Sequence, residues 1–116
     1  MKVEYPTSES SMQLNQLKLL KDRYPGIKVG YSTHEDPNTF DIVPIAIGMG
    51  AEVLEKHVGV ATDEYDLNVY SVSPEQMDKW LENASRAVKA CGLEETRHDA
   101  TKKELSDLRT FKRGVF

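Results

Sequence analysis

The feature that most constrains this chain is an alternation of two hydrophobic periods. Short extended runs fall at residues 2–5, 27–31 and 52–58, and each is followed by a longer helical pattern. That alternation is the signature of βα units and a parallel sheet. The expected class is therefore α/β, with three consecutive βα units and a short helix after them.

The helix signals are local and specific. A first helix is expected over residues 11–23, with Met12, Leu14, Leu17 and Leu20 turned inward. It should stop at Tyr24, because the residue before a proline avoids the helical conformation. A second is expected over 41–49. With Asp41 as N-cap, Pro44 lies in the first turn, where its missing N–H has no helical acceptor to lose. Gly50 is a natural C-terminal stop. The third has Ser73 to cap, Pro74 at the first helical position and Gln76 to complete a capping box. Its apolar stripe is Met77, Trp80, Leu81, Ala84, Ala87, Val88 and Cys91, and Gly92 ends it. Thr101 and Glu104 form a second capping box before Leu105 and Leu108. The composition turns polar after Leu93, which divides the chain into 1–98 and a helix and linker at 99–116.

Composition removes several functions. The 116 residues carry a formal charge of −4 with both signs interspersed, and no basic stripe marks a nucleic-acid partner. The longest apolar stretch, 42–51, is too short to span a bilayer, so no membrane partner is expected. Met1-Lys2 is not followed by a signal-peptide core. A single cysteine, Cys91, rules out an internal disulfide and fits a reducing cytoplasm. Its place on an apolar helical stripe favours a packed thiol over a nucleophile.

Strand geometry points to the chemistry. Side chains alternate faces, so Glu55 and His57 point one way while Leu54, Lys56 and Val58 point the other. Gly30, Ser32 and His34 share a face if the preceding strand continues that far. Both histidines then lie at the carboxyl ends of neighbouring strands, the end that carries the site in parallel α/β structures. Adjacent strands are about 4.8 Å apart, so His34 and His57 can converge on one ion. Imidazole suits Mn, Fe, Co, Ni or Zn, and completion by oxygen ligands favours harder ions such as Mn or Mg. The bland alternative is that each histidine is a satisfied polar group. Glu55 either orients a histidine or substrate hydroxyl or pairs with Lys28 or Lys56. Ser32 either donates to a phosphate or forms a turn. The acidic run Asp63, Glu64 and Asp66 reads as solvated loop, and His98 as solvated.

Tyr5-Pro6-Thr7, then Val29-Gly30-Tyr31-Ser32-Thr33-His34, then Gly50-Ala51 and Glu55-Lys56-His57, follow one another at spacings that resemble the sialic acid synthase family. That family includes N-acetylneuraminate synthase and its legionaminic and pseudaminic acid relatives. The resemblance spans about residues 3–92 and extends weakly to 113–116. It implies an enzyme that condenses phosphoenolpyruvate with an N-acylated hexosamine such as N-acetylmannosamine, yielding a nine-carbon 2-keto acid and phosphate. It implies a (β/α)₈ (TIM) barrel, which needs about 250 residues. This chain would supply the sixth, seventh and eighth strands, a partial barrel, with an antifreeze-like domain to follow Phe116. By the same resemblance His34 and His57 are metal ligands, Ser32 meets the phosphoenolpyruvate phosphate, Glu55 lies near metal and sugar, and Tyr5 lines the sugar pocket. Mn²⁺ is the expected ion, with Mg²⁺ or Co²⁺ as alternatives. The chain departs from the family at Thr33, where Asp is usual, and at Lys2, Val3 and Glu4, where Cys and Asn are usual; the missing asparagine points to a different sugar. An open three-stranded sheet leaves two edges unpaired, so a homo-oligomer formed by self-association is expected. A catalytically silent domain with a structural or binding role is the competing possibility.

Overall fold

A computed structural model describes residues 5–92 and 101–113. The helices and strands run α1 (Glu9–Met12), α2 (Asn15–Arg23), β1 (Gly30–Thr33), α3 (Ile42–Gly48), β2 (Val53–Lys56), α4 (Pro74–Cys91) and α5 (Lys102–Arg113). β1 and β2 are parallel, with Gly30 opposite Val53, Tyr31 opposite Leu54, Ser32 opposite Glu55 and Thr33 opposite Lys56. A further parallel bridge joins Val58 to Val72. The chain is therefore α/β with parallel strands, as its periodicity requires. The strand expected at 2–5 lies outside the described residues except for Tyr5, and so does His98.

α3 explains how the layers hold together. It is short and apolar, and Ile42, Val43 and Ala46 are all buried. Ala46 joins Leu17, Val29 and Ala51 in one core cluster, against α2. Val43 joins Trp80 and Ala84 in a second, against α4. Asp41 is the N-cap residue and Pro44 sits in the first turn, as expected. α4 starts as its sequence dictates: Gln76 N–H donates to Ser73 Oγ at 3.2 Å and Ser73 N–H donates to Gln76 Oε1 at 2.9 Å. Such a cap contributes about 0.5–2 kcal/mol. Gln76 Nε2 also donates to Asn38 Oδ1 at 3.0 Å, which ties the start of α4 to the loop after β1.

Three expectations need correction. The helix expected over 11–23 is broken at Gln13, whose backbone is left-handed at φ 51° and ψ 50°. Gln13 Nε2 donates to the Ser10 carbonyl at 2.7 Å, and Ser8 Oγ donates to Ser11 Oγ at 2.9 Å. A left-handed residue cannot continue a right-handed helix, so the segment divides into α1 and α2 at this point. Leu17 is buried, but Leu20 is 42% exposed. Cys91 is exposed, not packed. The reason is length: at 1.5 Å per residue α3 is about 10 Å long and α4 about 27 Å. The distal half of α4 overshoots its partner, which also leaves Val88 exposed. The second strand runs Gly30–Thr33, shifted toward the histidine from the expected 27–31.

The buried face of the sheet carries polar groups that no hydrophobic pattern announces. Thr33 and Glu35 are each 1% exposed. Lys56 Nζ lies 3.4 Å from Glu35 Oε1, with the two side chains fully buried. Tyr31 shares this face, two residues before Thr33. Burial pushes its phenol above the ordinary value of 10.0, the Glu35 carboxylate adds to the rise, and the Thr33 hydroxyl opposes it. The folded state thus favours the neutral phenol. Its contribution to stability is complete below the ordinary tyrosine value and is lost as pH rises through the raised folded one. Denaturant titrations across alkaline pH should show that loss in the wild type and a shallower one in Tyr31→Phe. Identical slopes would remove Tyr31 as its source.

Candidate metal centre

The exposed face of the same two strands carries Gly30 and Ser32 on β1 and Val53 and Glu55 on β2. Continued by two residues, the offset that pairs Ser32 with Glu55 brings His34 opposite His57. Ser32 Oγ donates to Glu55 Oε1 at 3.4 Å. His34 Nε2 and His57 Nε2 stand 3.2 Å apart. One N–H between two imidazole nitrogens would account for that separation. So would one ion: two nitrogens each about 2.1 Å from a metal and about 90–100° apart stand about 3.0–3.2 Å from one another. Among the described residues no third His, Cys, Asp or Glu completes a cluster of three around them. Two imidazoles alone would leave the other positions of such an ion to oxygen ligands from water or substrate.

Backbone hydrogen bonds deliver an aromatic ring to each histidine. Thr7 N–H donates to the His34 carbonyl at 2.9 Å, and Val72 N–H donates to the His57 carbonyl at 2.9 Å. Tyr5 precedes Thr7 by two residues, and Tyr70 precedes Val72 by two. Tyr5 packs edge-on to His34, with centroids 5.1 Å apart. Tyr70 packs edge-on to His34 at 5.2 Å and to His57 at 5.0 Å, and lies 4.9 Å from Tyr5. The imidazole pair is thus bracketed by two tyrosines.

The structure brings together Tyr5, His34 and His57, and places Ser32 and Glu55 one step down the same face. Glu55 meets Ser32, whereas Lys56 serves Glu35 on the opposite face. Asp63, Glu64 and Asp66 are exposed in the β2–α4 loop, which turns back through a Thr62 N–H bond to the Tyr65 carbonyl at 2.8 Å.

The NeuB family model matches residues 2–96. The chain belongs to the NeuB family. Its fold resembles that of a spore coat polysaccharide biosynthesis protein E of Chromobacterium violaceum, at 41% identity and TM-score 0.86, covering 94% of this chain and 32% of that one. It also resembles an N-acetylneuraminic acid (sialic acid) synthetase of Leptospira borgpetersenii, at 27% identity and TM-score 0.75, covering 95% of this chain and 38% of that one. A spore coat polysaccharide biosynthesis protein of Bacillus subtilis shares the fold at 17% identity and TM-score 0.65, covering 90% of this chain and 33% of that one. This NeuB-family chain spans about a third of the length of these solved relatives. Comparison with curated proteins returns no match. Among the described residues no helix is long and apolar enough to cross a membrane.

Two features of this NeuB-family site escape sequence reasoning. Tyr70 lies in a long loop without periodicity; its one local signal is its place two residues before Val72, which pairs with the His57 strand. The Glu35–Lys56 pair hides among charged residues that alone read as surface. Ring contacts of the Tyr70 kind contribute about 0.5–1.5 kcal/mol each. With three such contacts, to Tyr5, His34 and His57, Tyr70→Ala should destabilise the chain by about 1.5–4.5 kcal/mol, and Tyr70→Phe, which keeps the ring, far less. Equal urea midpoints for wild type and Tyr70→Ala would show that the ring contributes nothing to the histidine cluster.

Proposed function

We infer that this chain is the metal-bearing part of a phosphoenolpyruvate-dependent sugar-acid synthase. The observation that carries the inference is the 3.2 Å approach of His34 Nε2 to His57 Nε2 at the carboxyl ends of parallel strands. Membership of the NeuB family, and the sialic acid synthetase among the solved relatives, support the reaction class. In this proposal residues 1–98 are three βα units of a (β/α)₈ barrel, and the substrates are phosphoenolpyruvate and an N-acylated hexosamine such as N-acetylmannosamine. The setting is the cytoplasm.

His34 and His57 hold the divalent ion, Mn²⁺ first, with Mg²⁺ or Co²⁺ as alternatives. When bound, the ion supplies Lewis acidity at a sugar carbonyl oxygen. Carbon three of phosphoenolpyruvate bonds to the sugar aldehyde carbon, water adds at carbon two, and phosphate leaves. The protein's side chains then have separable tasks. Ser32 can donate its hydroxyl to a phosphate oxygen, and Glu55 can accept from a sugar hydroxyl. Glu55 sits two residues before His57, about 6.6 Å down the strand, and would meet a different part of a substrate from the two imidazoles. Tyr5 presents its ring beside His34 as a wall for the sugar.

The test is phosphate release from phosphoenolpyruvate with N-acetylmannosamine and Mn²⁺, measured for this chain and for a longer protein carrying a whole barrel. Turnover by the longer protein alone assigns these residues to part of an enzyme. Turnover by neither would favour a silent, structural or binding domain. His34→Ala and His57→Ala should each abolish both Mn²⁺ binding and turnover; Mn²⁺ binding that survives both substitutions would remove them as ligands.

A further inference from the structure

The ladder between β1 and β2 ends at Thr33 opposite Lys56. His34 and His57 are the next residues on each strand, and their carbonyls bond to Thr7 and Val72 rather than to each other's strand. The two imidazoles thus stand just past the last ladder pair, where the strands no longer bond to each other. On the other face of the sheet, directly flanking them in sequence, Glu35 follows His34 and Lys56 precedes His57. Their charged ends are 3.4 Å apart, with side-chain exposures of 1% and 0%. No hydrogen-bond partner among the described residues satisfies Lys56 Nζ or either Glu35 oxygen. Each buried charge is therefore compensated chiefly by the other, and the strand ends cannot part without stranding both.

We propose that, given the metal-holding role inferred for the histidines, Glu35 and Lys56 are positioning residues that keep His34 and His57 abreast from the opposite face of the sheet. The contact is diagonal. Lys56 stands opposite Thr33 in register, and Glu35 reaches it from two positions further along the same face. Thr33 is itself buried. A carboxylate at position 33 would meet Lys56 directly. Moving the carboxylate from 35 to 33 should preserve a pair between the same two strands.

Two readouts on the chain test this. A cross-peak between the ring protons of His34 and His57 reports their approach without any metal, and the visible spectrum of added Co²⁺ reports the site when loaded. E35Q should lose the cross-peak and bind Co²⁺ about 10–100-fold more weakly, the usual loss for a supporting partner of a metal ligand. T33D/E35Q should recover both. A folded E35Q with cross-peak and Co²⁺ affinity unchanged overturns the proposal, as does a folded T33D/E35Q that recovers neither. If E35Q fails to fold, the double variant decides: a restored cross-peak supports the proposal, and its absence or continued unfolding overturns it. A wild type that keeps the cross-peak but binds no Co²⁺ sinks the metal inference alone, and the cross-peak in the variants still decides the positioning role.

Discussion

The parallel register between β1 and β2 is the interaction on which everything else in this structure depends. It sets Ser32 against Glu55 and Thr33 against Lys56, and carried one step further it sets His34 against His57. A slip of one residue would turn every side chain of one strand to the other face, burying a histidine and exposing Lys56. A slip of two would keep the faces but separate the imidazoles by about 6.6 Å along the strand. Small apolar contacts hold the register: Ala46, Ala51, Val29 and Leu17 lock α2, α3 and the sheet together.

The two faces of that ladder divide the work. The exposed face collects donors that a substrate or an ion can use. The covered face buries an ion pair whose desolvation offsets much of its attraction, so it adds little to net stability while present but costs about 3–5 kcal/mol to break by removing one partner. A buried pair of this kind is better at specifying a geometry than at strengthening a fold. The flanking segments complete the arrangement, because the bonds that Thr7 and Val72 make to the histidine carbonyls also deliver Tyr5 and Tyr70.

Much of this was legible in the sequence, for identifiable reasons. Strand alternation has a period of two, so the shared face of Glu55 and His57 could be read without coordinates. Caps are local, so the starts of α3 and α4 were readable from Asp41 and from Ser73 and Gln76. Other features depend on what lies across the fold. The stripe on α4 did not reveal that α3 is too short to cover Val88 and Cys91. The Leu pattern around Leu17 did not reveal that the backbone would turn left-handed at Gln13 and split the helix. Glu35 and Lys56 read as surface charges because nothing local marks a pair that meets only when two strands align. Tyr70 was hidden by the length of its loop.

The central claim is that register places two imidazole nitrogens to share one ion. Anomalous diffraction from crystals equilibrated with Mn²⁺ tests it most directly. A single anomalous peak about 2.0–2.3 Å from both His34 Nε2 and His57 Nε2, distances typical of metal–imidazole bonds, is the result the account requires. Density showing the two rings joined by an N–H···N hydrogen bond, with no anomalous peak between them, would contradict it.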